Sequence, residues 1–93
     1  MANLRDLKKD INYLASEVVT QGLMKYTLME NVKDEDVSPI LAEAVKLRNE
    51  FIARATHPDG KDNPKLVKKH YNKLREDLLK KTMELLGKVQ ELK

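Results

Sequence analysis

From Leu4 onward the apolar positions Leu7, Ile11, Leu14, Val18, Gly22, Met29 and Val32 follow steps of three, four and seven residues, which places them on one face of a helix. Val19, Leu23 and Tyr26 widen that face. Asn3 in front of it is a good N-cap, because its side chain can accept a hydrogen bond from the free amides of the first turn, and Asp6 is favourable against the helix dipole. The pattern predicts a first helix over about residues 4–32. An interior glycine costs about 1 kcal/mol relative to alanine, yet the periodicity resumes in phase at Met29 and Val32. Gly22 is therefore expected to mark a bend or a close helix contact within a continuous helix.

The stretch NVKDEDVSP is acidic and poor in apolar residues, and reads as a connection ending in Ser38-Pro39, where a serine caps and a proline opens the next helix. Helix two then runs over about 39–56. Its expected buried set is Ile40, Leu41, Ala44, Val45, Phe51, Ile52 and Ala55, with Leu47 and Arg48 at the margins. Asn63-Pro64 repeats the cap-then-proline pattern and opens a third helix over about 64–92, with an apolar seam at Val67, Tyr71, Leu74, Leu78, Thr82, Leu85, Val89 and Leu92. At about 1.5 Å per residue such a helix is some 40 Å long. The fold class expected is all-α, an antiparallel three-helix bundle forming a single domain over residues 1–93.

Composition agrees with packed helices. Of 93 residues 41% are hydrophobic, but with one Phe, three Tyr and no Trp the interior must be filled by aliphatic side chains and methionine. Without cysteine there is no disulfide framework and no thiolate site for zinc. The charged opening MANLRDLKKD lacks the apolar core of a signal peptide, and no run approaches the roughly 18 apolar residues of a membrane span. The expectation is a cytoplasmic protein without a membrane partner.

Charge is unevenly spread. The net +3 is too mild to imply a polyanionic partner by itself, but from Pro64 to Lys93 nine basic residues face four acidic ones. Lys65, Lys68, Lys69 and Lys73 lie along the start of helix three, with Lys61 and Lys80 extending the run, a track that phosphates could follow. Glu76, Asp77 and Glu84 interrupt it and no aromatic is interleaved, so the plainer reading is a solvated face. Nucleic acid and an acidic protein are its candidate partners.

Between helices two and three stands THPDGKDNP. Every residue in it serves a turn: Pro58 pushes His57 away from helical angles, Asp59-Gly60 makes a tight turn, and Asn63-Pro64 restarts the helix. The tripeptide His57-Pro58-Asp59 also resembles the loop of J-domain co-chaperones, which lies between two antiparallel helices and engages a heat-shock ATPase chaperone. That resemblance covers roughly Tyr26 to Lys81 and implies a partner-binding role for the three residues. Over its full length the chain is similar to a family of small all-helical bacterial proteins in which an LRDLKKDINYL opening and an HPDGKDNPKLVK connection occur together. The second resemblance implies a helical fold and brings no activity with it.

Catalytic chemistry has little to build on. His57, Asp59, Asp62 and His70 match no metal-ligand spacing, and no Ser, Thr or Lys stands in a nucleophile context, so neither an enzyme nor a cofactor is expected. Tyr13, Met24, Tyr26 and Met29 read as core or a subunit interface. Because helices one and three outrun helix two, Leu85, Leu86, Val89 and Leu92 are expected to form an uncovered apolar stripe, buried by homodimerisation. The functional expectation is a non-enzymatic interaction or structural module that self-associates. Nucleic-acid binding through helix three and a J-domain-like role are its alternatives.

Overall fold

The computed structural model describes residues 4–58 and 62–92, which form three helices and no strand: α1 (Leu4–Leu28), α2 (Asp34–Thr56) and α3 (Pro64–Gln90). Each helix packs on the other two, with α1 and α3 running in one direction and α2 returning between them, an all-α three-helix bundle. The chain is a rod of 53 × 18 × 17 Å.

α1 passes through Gly22 unbroken. A Cβ there would stand 3.3 Å from Leu41 Cδ2 and 3.8 Å from Val37 Cγ1, so the missing side chain is what lets α2 approach this closely. The helix stops at Leu28, four residues short of the expected end. Glu30 and Asn31 make a turn, and Val32 reaches the core from the connection, 4% exposed, with its amide donating to the Met29 carbonyl at 3.2 Å. Its agreement with the helical period was fortuitous. Asn3, the expected cap, lies outside the described residues.

α2 begins at Asp34, not at Pro39. Asp34, Glu35 and Asp36 place three carboxylates in the first turn, where the free amides and the dipole favour them. The Asp36 carboxylate accepts from the Lys33 amide at 3.1 Å. Pro39 lies inside the helix and leaves the Glu35 carbonyl without its amide donor. Both residues are exposed, where water can take that place. At the start of α3 the cap is the expected one: Asn63 Oδ1 accepts from the amides of Lys65 (3.0 Å) and Leu66 (3.4 Å). That helix ends at Gln90, two residues short of Leu92.

The core is aliphatic around one aromatic ring. Phe51, Ile11 and Leu74 are fully buried, one from each helix, and Leu7, Val18, Ala44, Leu78 and Val89 continue the packing along the rod. Leu47 is buried at 4%, whereas Val45, expected inside, is 53% exposed. Leu47 falls in line with Ala44, Phe51 and Ala55, and Val45 is turned away from that line by about a third of a turn. Tyr13 (65%), Met24 (50%), Tyr26 (41%) and Met29 (37%) are exposed, which removes them from the core.

The expected stripe on α3 is also covered. Leu85 (6%) and Val89 (1%) are buried and Leu86 and Leu92 are half-buried within the single chain, so these residues present no open apolar patch. Leu47 of α2 lines a groove with Leu85, and the Lys88 to Glu43 pair and the Lys25 to Leu92 bond set α2 and the end of α1 against this part of α3.

Candidate interaction surface

The two ends of α3 are treated differently by the rest of the chain. Near its C-terminus Lys25 Nζ of α1 donates to the Leu92 carbonyl at 3.4 Å, and further down Leu7 of α1 lines the same groove as Leu78. With α1 and α3 in that register, Leu4 is level with roughly the third turn of α3, and the residues before it run past the end of α1. None of them is buried; the first buried residue of α3 is Leu74.

Polar contacts to the end of α2 hold this projecting segment. The carbonyls of a helix's last turn have no donor within the helix. Here α3 supplies donors. Tyr71 Oη donates to the Ala55 carbonyl at 2.9 Å, and His70 Nε2 lies 2.7 Å from the Arg54 carbonyl. A carbonyl can only accept, so Nε2 carries the proton in that bond. The two rings meet edge to face with centroids 5.3 Å apart. Arg54 lies over the Phe51 ring at 4.9 Å and donates to Asp77 at 3.0 Å, while Lys73 reaches the other oxygen of the same carboxylate at 3.2 Å. Bonds from Arg54 and Lys73 hold the Asp77 carboxyl below its ordinary value.

Above these contacts opens a groove of about 560 Å³ lined by Arg54, His57, Leu66, Lys69, His70 and Lys73. Five of the six side chains are cationic or imidazole and the sixth is apolar. Asp77, the nearest carboxylate in the ion pairs, is shared by Arg54 and Lys73, and Lys69 forms no ion pair among the described residues. Leu66 is 47% exposed and supplies a hydrophobic contact beside the charges.

The groove joins two features that the sequence presents separately. His57 is exposed, Pro58 is half-buried beside it, and Asp59 lies outside the described residues, as does Lys61. Lys69 and Lys73 line the groove with His57, whereas Lys65 and Lys68 are exposed on the same segment and do not line it. Arg54, Leu66 and His70 were not expected as a part of such a surface. Their signal was present: Leu66, Lys69, His70 and Lys73 fall at i, i+3, i+4 and i+7, a single helix face.

Elsewhere the surface offers less. A groove of about 280 Å³ between α2 and α3 carries charges of both signs and is crossed by the Lys88 to Glu43 ion pair at 3.0 Å. Another between α1 and α2 is bridged by Arg48, whose Nε donates to Asn12 at 2.6 Å. Among the described residues no three His, Asp or Glu side chains converge to hold a metal, and no helix is long and apolar enough to cross a membrane. No family model, no curated protein and no solved structure matches the chain.

Proposed function

We propose that this chain is a non-enzymatic helical interaction module that engages an acidic segment of a partner protein through the groove at the His57 end of the rod. The observation that carries this reading is the lining itself: cations and imidazoles from α2, the connection and α3 surround Leu66, on a segment that the other described residues leave unburied. Charge on the groove attracts the partner, and Leu66 adds a short-range contact that needs an apolar side chain opposite it.

A nucleic acid fits the same surface less well. Lys65, Lys69 and Lys73 span about 12 Å of helix, after which Glu76 and Asp77 reverse the charge. Single strands are held by aromatic platforms as well as cations, and the aromatic ring at this site, Tyr71, is engaged with Ala55 and His70.

Fluorescence anisotropy tests the proposal with a labelled peptide of alternating Glu and Leu residues, beside labelled single-stranded and duplex DNA, at low and high salt. The expected result is peptide binding that weakens with salt and falls at least tenfold in the Lys69→Glu, Lys73→Glu variant. Tight DNA binding with no peptide binding would overturn it in favour of the nucleic-acid alternative.

A further inference from the structure

We propose that two copies of this chain associate in parallel, α1 of each lying against α3 of the other about a two-fold axis along the rod. α3 carries a second apolar seam beside the one that fills the core. Leu79, Met83 and Leu86 follow steps of four and three, the spacing of a helix face meant to be covered. Yet Leu79 is 56% and Met83 71% exposed, and Leu86 is half-buried. Across a groove of about 280 Å³ the facing edge of α1 contributes Tyr13, 65% exposed, and Leu14, half-buried.

The flanking charges identify the occupant. Asp10 of α1 and Arg75 of α3 line the same groove, one on each wall, and neither takes part in an ion pair among the described residues. α1 and α3 run in one direction with Lys25 meeting Leu92, a register that puts Asp10 within one turn of Arg75 along the rod. A two-fold axis parallel to the rod exchanges the walls without inverting them. It therefore brings Asp10 opposite Arg75 of the other copy, twice, and lays the Leu79 and Met83 seam against Tyr13 and Leu14. One surface with an acid on one wall and a base on the other is complementary to itself. An anionic membrane surface would instead call for basic residues on both walls.

This interface lies on α1 and α3 and leaves the groove around Lys69 open. The parallel arrangement puts both such grooves at the same end of the assembly.

Light scattering from micromolar to sub-millimolar concentration tests the proposal. The expected mass rises from 10.7 kDa towards twice that value as the protein is concentrated. Met83→Glu, at an exposed position, and Arg75→Asp, which sets two acids against each other, should each raise the dissociation constant at least tenfold with an unchanged helical circular dichroism spectrum. Adding Asp10→Arg to Arg75→Asp should restore the dimer. A mass of 10.7 kDa at every concentration, or a dimer indifferent to both single variants, overturns it.

Discussion

One end of this rod is closed by apolar packing and the other is held by polar contacts. At the first, Val32 and Val37 are buried, Gly22 admits Leu41 at close range, and Val89 is 1% exposed. The Asp34 carboxylate at the start of α2 raises the titration of the Tyr26 phenol near the end of α1 above its ordinary value. At the other end α3 runs past its neighbours without a buried residue before Leu74, and is tied to α2 by Tyr71, His70 and the Arg54, Asp77, Lys73 cluster. Burial of apolar surface supplies the driving force for folding, so the closed end holds the fold together. The open end, relieved of that task, can present charge.

The difference is exposed most sharply by truncating one leucine in each half. Leu85→Ala, in the closed half, should cost about 2–5 kcal/mol, whereas Leu66→Ala at the groove should stay within about 0.5 kcal/mol, both read from urea denaturation. Equal losses would mean that the projecting segment is as tightly packed as the core.

Thr82 gives a smaller effect of opposite sign. Its hydroxyl is buried within the α3 seam, 3% exposed, and finds no hydrogen-bond partner among the described residues. An unsatisfied buried polar group costs about 1–3 kcal/mol. Thr82→Val keeps the shape and should raise stability by about 1 kcal/mol at the lower end of that range. An unchanged or lowered melting temperature would show that the hydroxyl is satisfied in solution.

The smallest effect concerns the polar end. Arg54 and Lys73 depress the Asp77 titration from its ordinary 3.8, so the unfolded chain takes up this proton at a higher pH than the folded one. The contribution is present in full above about pH 4, and is lost as pH falls through the depressed value. Asp77→Asn should therefore be slightly less stable than the parent near neutral pH, and the gap should close in acid. A gap independent of pH would assign the effect to packing.

The sequence was most readable where local chemistry decides the outcome. Asn63-Pro64 marks a helix start because the cap and the missing amide act within one turn, and the α3 seam from Leu74 to Val89 keeps a strict period. Ser38-Pro39 carries the same signature and was misleading, because three carboxylates a turn earlier supply a competing start. Val32 kept the period of α1 yet enters the core from a turn. Most of the candidate site was visible only as separate residues. His57 and the lysines of α3 stand out, but their convergence with Arg54 depends on how far α2 and α3 slide past each other. That register is set by Tyr71 reaching Ala55 and His70 reaching Arg54, contacts between residues sixteen apart. The apolar stripe at Leu85 and Val89 was misjudged for the same reason, since its cover comes from other helices.

The rod shape governs how the molecule moves. Its radius of gyration is 15.3 Å, where a compact chain of this length has about 12 Å. Drag on such a body exceeds that on a sphere of equal mass, and rotation about the long axis is faster than end over end. A lone copy will leave a sizing column early, like a heavier globule. All three helices lie near the long axis, so their amide N–H vectors are reoriented mainly by the slow end-over-end tumbling, and their nuclear spin relaxation should report nearly one correlation time along the whole bundle, longer than the mass alone would give.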